Sequence, residues 1–219
     1  MKWACGLLDL CVAAYHKVTK KLTFFTEQEW NDLSSNTRYS YLTIGIRIRA
    51  YGKQWIVGKE DMPNDSGGTD HAWAEQMGWD IDELKNYGNP NDGSIFDDYD
   101  GEGNTDKIVA YAKANNRRHP AAERVRAYSL SSDDPAAGKY YLPSIAQMLL
   151  MIRYRNEIDK MLQLVSGSAF STGWYWSSTE YSSSYVWYVG GGSGGGGVGV
   201  GNGKTNAGKV RPCVACAAN

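Results

Sequence analysis

Few residues in this chain have the types and spacing that chemistry needs, and each fails on context. Gly191-Gly-Ser-Gly-Gly195 spells the G-x-S-x-G string of serine hydrolases. That string raises a nucleophile only on a strand-to-helix elbow, and no apolar helix follows Ser193. Gly190-Gly-Gly-Ser-Gly-Gly195 matches the dinucleotide pattern G-x-G-x-x-G just as emptily. Gly203-Lys-Thr205 resembles the end of a phosphate-binding loop, but Val198 stands where its first glycine belongs. His71 and Glu75 have the i, i+4 spacing of two ligands on one helix face. A catalytic zinc wants three protein ligands, and His16 and His119 are remote in sequence, so a surface pair is expected. Residues 97–106 are rich in Asp, Asn and Gly, like a calcium loop, yet the twelfth position counted from Asp98 is Val109 instead of Glu. Turn chemistry explains them better, leading into a helix capped at Asn104 or Thr105 with Ile108 and Ala112 on its buried face. No pair of carboxylates stands out for acid–base work. The reading is a non-enzyme with no cofactor and no metal.

The four cysteines, Cys5, Cys11, Cys213 and Cys216, sit at the two ends. Cys213-Val-Ala-Cys216 has the spacing of half a zinc site, but it lies in an apolar run that reads as a strand, where positions three apart face opposite ways. Buried free thiols are expected, although four could still meet if the ends lie side by side.

Several elements can be read from periodicity. Leu7, Leu8, Cys11 and Val12 suggest an amphipathic helix. Asp9 interrupts the run and Leu10 precedes Cys11, which disfavours a cleaved signal or a lipoprotein signal. Thr26-Glu-Gln-Glu29 is a capping box before Trp30 and Leu33. Ile44, Ile46 and Ile48 alternate with Gly45, Arg47 and Arg49, and Gln54-Trp-Ile-Val57 follows a short turn, which predicts a hairpin. A short helix is expected around His71–Met77. From Pro143, the stripes Ile145, Met148, Leu149, Ile152 and Ile158, Met161, Leu162, Val165 predict a strong helix that stops at Gly167.

Length and charge bound the class. The 219 residues fit one large domain, and 42% hydrophobic content supports a core. The formal charge of −1 lacks the basic field of a dedicated nucleic-acid binder, so no nucleic-acid partner is expected. No apolar run is long enough to span a membrane.

After Gly173 the texture changes. Eleven of the 25 glycines lie between Gly190 and Gly208, among short pieces rich in Trp, Tyr and Val. Tyr and Trp give rigid contact area, while Ser, Gly and Asn give adaptable hydrogen bonding, which is the composition of a binding surface. Val198-Gly-Val200-Gly201 alternates as a strand does, unlike a plain Gly-Ser linker.

Residues 174–213 carry a YWSSTEYS string, then a W-x-V run and a terminal V-R-P-C. With Tyr141-Leu-Pro-Ser144 and Asp100-Gly-x-x-Asn-Thr105 upstream, this resembles bacterial and phage proteins of the C-type lectin fold. Within that group it resembles the variable proteins of diversity-generating retroelements. The resemblance covers about residues 100–213 well and the 44–60 hairpin moderately. It implies that template adenines are copied into random bases, so that an AAC codon becomes Gly, Ser, Tyr, Val, Thr or Ala but never Lys or Trp. Between Ser182 and Gly208 only Trp187 and Lys204 fall outside the reachable set.

The expected fold is α+β and C-type lectin-like: a small twisted antiparallel sheet with two helices and an N-terminal elaboration. One domain fills 1–219, with the elaboration at 1–40, the lectin-like part at 41–219 and the variable region at about 175–213. The implied function is non-catalytic display of a diversified surface to variable protein or glycan targets. The alternative is a fixed-specificity carbohydrate-binding adhesin of a bacterial surface or phage tail. An enzyme related to the formylglycine-generating enzymes would share the broader fold, but the cysteines sit at the termini. Contact residues are expected at Ser183, Ser184, Tyr185, Tyr188, Gly190, Gly192, Gly197, Gly199, Gly201, Asn202, Gly203, Thr205, Asn206 and Ala207. Trp176, Trp187, Val210 and Arg211 would hold the platform.

Overall fold

A computed structural model describes residues 8–85, 88–89, 93–192 and 197–216. The chain forms a mixed α+β structure with two sheets where the sequence suggested one. The first is antiparallel throughout, in the order β2 (Leu22–Phe25), β1 (Asp9–His16), β3 (Tyr41–Ala50), β4 (Lys53–Gly58), β11 (Cys213–Ala215), β6 (Tyr140–Tyr141). The second runs β5 (Asp70–Ala72), β10 (Ala207–Lys209), β7 (Trp174–Glu180), β8 (Tyr185–Gly190), β9 (Val198–Gly203). It is antiparallel except where Lys209 meets Tyr175. Among the described residues there are six α-helices where two were expected: α1 (Glu27–Asp32), α2 (Ser35–Tyr39), α3 (Gly101–Ala114), α4 (Pro120–Ala127), α5 (Ile145–Arg153) and α6 (Arg155–Leu164). None is long and apolar enough to cross a membrane.

Residues 9–16 form a strand, correcting the helix expected there. A short apolar run is ambiguous by periodicity. Here it lies between β2 and β3, so Cys11 to Ala14 are all buried. The N-terminal segment is therefore woven into the first sheet.

The isoleucine hairpin forms, but its alternation is broken. Ala13 pairs with Gly45 and Ala14 with Thr43, leaving Ile44 as an extra residue. This bulge turns Ile44 away from its neighbours. Ile46 and Ile48 join a core with α5 and α6, while Ile44 joins a second core with Ile108, Trp176 and Val210. An added Cβ on Gly45 would lie 1.8 Å from the Val57 carbonyl oxygen, so the close approach requires glycine.

The strong helix is two helices. Six residues separate Ile152 from Ile158, which is a rotation of about 240° beyond a full turn on an α-helix. A continuous helix would carry its two apolar stripes on different faces. The break at Tyr154 lets both Met148 and Met151 on α5 and Ile158 and Leu162 on α6 enter one core. Of the local signals, Thr26 and Glu29 form the capping box, whereas α3 starts at Gly101 with Asp100 as its cap, earlier than Asn104. The helix expected at 71–77 is absent: residues 70–72 form β5 and bends follow.

Candidate functional site

The motifs that carry the family resemblance converge in space. The buried Asp98 carboxylate accepts hydrogen bonds from Asn104 Nδ2 (3.1 and 3.3 Å) and Thr179 Oγ1 (2.5 Å). Ser144 Oγ donates to the Asp98 carbonyl at 2.5 Å, and the Ser178 amide donates to the Pro143 carbonyl at 2.8 Å. Thr105 Oγ1 accepts from the Leu142 amide at 3.0 Å. The YWSSTE strand, the Asp100–Thr105 turn and the Leu-Pro-Ser segment thus lock one another. Every contact satisfies a buried polar group, which makes this a structural joint. Among the described residues no three His, Cys, Asp or Glu side chains are placed to hold a metal.

β7, β8 and β9 position the expected contact residues at two ends of a platform. At one end Trp174, 49% exposed, meets the Tyr188 ring edge-on at 4.8 Å. The Gly190 amide donates to the Gly197 carbonyl at 3.0 Å. At the other end three loops meet: the Ser184 carbonyl accepts from Lys204 N (3.0 Å), Ser183 from Gly78 N (3.1 Å), and Lys204 from Ala74 N (2.9 Å). Tyr185, Thr205, Asn206 and Ala207 are exposed there, and Asn206 Nδ2 donates to Asn202 Oδ1 at 2.7 Å.

The glycines of this segment fall into two classes when a Cβ is imagined on each. Among the described residues, Gly192 and Gly197 meet nothing within 4 Å. Gly199, Gly203 and Gly190 meet side chains first: Tyr188 Oη at 2.2 Å, Met77 Cε at 3.2 Å and the Trp174 ring at 3.3 Å, with the Gly197 amide nitrogen 3.7 Å from a Cβ on Gly190. Gly191 and Gly208 differ. A Cβ on Gly191 would lie 2.3 Å from the Ser171 carbonyl oxygen, and on Gly208 2.8 Å from the buried Trp176 ring. Gly190 and Gly203, expected as open slots, are buried because Trp174 and Met77 lie over them. Val198 is 39% exposed on β9, the strand at the edge of the second sheet. Gly201 lies in β9, with its surroundings outside the described residues, as does Ser193 altogether.

Beneath the loop end lies a buried ion pair. Lys204 Nζ contacts Glu180 Oε1, donates to the Trp79 carbonyl at 2.6 Å and stands 4.8 Å from the centre of the Trp73 ring. Both side chains are 0% exposed. Burial pushes the Glu180 carboxyl up to about 7 against the pull of Lys204, and burial lowers the Lys204 ammonium. His119 packs among Trp73, Trp79 and Tyr111 at 5.1 to 5.7 Å, and burial lowers it to about 4.

The four platform residues Trp176, Trp187, Val210 and Arg211 are all buried. Arg211 pairs with Asp61 at 2.8 Å and donates to the Ser168 and Ala169 carbonyls at 3.0 and 3.1 Å. Sequence reasoning missed Glu180, Asp61, Met77 and Trp174. Only Trp174 carried a signal: two residues before Trp176, it falls on the same face of β7.

His71 and Glu75 are no ligand pair. His71 is buried with Nε2 2.9 Å from the Met62 carbonyl oxygen, while Glu75 is exposed. Cys11 and Cys213 are separated by β3 and β4, roughly 14 Å at ordinary strand spacing. Burial raises the Cys11 and Cys216 thiols to about 11 and Cys213 further, which suits inert thiols. Cys5 lies outside the described residues.

No protein-family model matches the chain, and no curated protein does. The crystal structure of a fimbrial protein from Bacteroides ovatus is similar, with a TM-score of 0.59 and 12% identity over 97% of this chain. The chain spans 44% of that protein's length. At this identity the likeness concerns fold alone.

Proposed function

We propose that this protein is a non-catalytic display protein with a C-type lectin-like fold. Its β7–β10 surface recognises protein or glycan targets through residues that can be exchanged, as in the variable proteins of retroelements. The observation that carries this reading is the division of the glycines. Among the described residues, Gly192 and Gly197 have open space and Gly190, Gly199 and Gly203 have a side chain above them, while Gly191 and Gly208 are walled by backbone or a buried ring. A surface that is rewritten needs this arrangement: slots that accept new side chains, on a platform that does not depend on them.

A library randomised at Gly192, Gly197, Gly199, Thr205 and Asn206 tests the proposal. Most members should remain folded by circular dichroism and protease resistance, and selection on a protein or glycan target should return binders. A library that is mostly unfolded would remove the basis for the reading.

One observation favours the alternative of a fixed-specificity adhesin on a bacterial surface or phage tail. Trp174, 49% exposed, and the half-buried Tyr188 already form an aromatic pair, a contact feature that needs no exchange of residues. A glycan-array signal that survives substitution of Gly192 and Gly197 and is lost in Trp174→Ala would support it.

A further inference from the structure

The two most exposed large apolar side chains among the described residues are remote in sequence yet adjacent in space. Val18, 83% exposed, caps the β1–β2 turn, and Tyr39, 77% exposed, ends α2. The Lys17 amide donates to the Ser40 carbonyl at 2.8 Å and ties the two together. Around them stand Lys17, Lys20, Lys21 and Arg38, none of which has a carboxylate within ion-pair distance among the described residues. The turn is preorganised: the Val18 and Thr19 amides donate to His16 Nδ1, and the Lys20 amide donates to the His16 carbonyl. Behind it is a recess of about 330 Å³ with Lys17, Arg38 and the hydroxyl-bearing Ser35 and Thr43 on its wall and Trp30 and Leu164 as its apolar part. Among the described residues no acid lines it. Asp133 lines a neighbouring pocket together with Lys17 and Lys20.

We propose that this turn and recess dock the protein on an anionic phospholipid surface. The recess takes a phosphate headgroup, while Val18 and Tyr39 enter the interfacial layer. Cations near such a surface contribute additively, and a tyrosine with a small apolar neighbour suits the headgroup boundary. A soluble polyanion would use the four cations but would gain nothing from two bared apolar side chains. The bilayer accounts for both. The proposal is independent of the display surface.

Co-sedimentation of the intact protein with vesicles tests it. Binding is expected to mixed phosphatidylcholine–phosphatidylglycerol vesicles and not to phosphatidylcholine alone. Replacing Lys17, Lys20 and Lys21 by Gln should lower partitioning about 100-fold. Val18→Ser with Tyr39→Ser should remove the part of binding that persists in salt. All five positions are exposed, and circular dichroism checks that each variant is folded. Absence of sedimentation with the mixed vesicles overturns the proposal. So does equal capture by heparin with no effect of the Val18 and Tyr39 changes, which assigns the patch to a soluble polyanion.

Discussion

At the scale of residues, the loop end rests on one carboxylate and one ammonium without solvent. Such a pair is costly to form but costlier to break. Lys204→Met should destabilise the protein by about 3–5 kcal/mol in urea unfolding, because Glu180 is left buried without its countercharge, with only the Ile81 amide donating to it at 3.5 Å. Adding Glu180→Gln should recover much of that loss. His119 gives a second prediction with a definite sign. Its folded value of about 4 lies below its ordinary 6.5, so below pH 6.5 the unfolded chain takes a proton that the folded one refuses. The His119 contribution to stability should therefore be full above pH 6.5 and fall by about 3 kcal/mol as the pH drops towards 4. The shift of His71 adds in the same direction, while the raised Glu180 carboxyl works against both between about pH 4.5 and 7. The difference in denaturant midpoint between the wild type and His119→Phe across this range isolates the His119 part, and a difference that does not change with pH would contradict it. Neither residue was legible beforehand: a buried Lys-Glu pair between positions 180 and 204 has no local pattern, and a lone histidine does not announce its neighbours.

At the scale of elements, the glycine classes make a contrast within one stretch of chain. Gly191→Ala and Gly208→Ala should each cost about 1–3 kcal/mol by overpacking. Gly192→Ser and Gly197→Ser should stay within about 0.5 kcal/mol. Thermal or urea unfolding of the four variants separates the classes, and equal losses would contradict the geometry. Composition alone could not separate them, because Gly190 and Gly191 are neighbours that differ only in what lies above them. Other elements were legible for physical reasons. The Thr26 capping box and the 41–58 hairpin are fixed by contacts close in sequence. The helix break at Tyr154 was also latent in the pattern, as a phase slip between two apolar stripes. The strand at Asp9–His16 was not, because a run buried on both sides loses the alternation that identifies strands.

At the scale of the whole molecule, what could not be read was how distant segments combine. The second sheet is assembled from residues 70–72 and 174–209, and the Asp98 joint gathers segments spread from 98 to 179. No local pattern encodes such pairings. Asp98→Ala should cost about 2–3 kcal/mol, since it strands the Asn104 and Thr179 donors in the interior. It should also loosen α3, α5 and β7 together, visible as raised hydrogen exchange in all three. Loosening confined to α3 would show that the joint is only a local cap.

The position of Lys204 has a genetic consequence if the surface is rewritten as proposed. Lysine is spelled AAA or AAG, so a copying process that scrambles adenines strikes hardest at the triplet for the side chain the loops rest upon. Most products in which that triplet is changed then never mature and are lost to proteolysis. Surviving alleles collected from a population should then be nearly uniform at position 204 while varying on both sides of it.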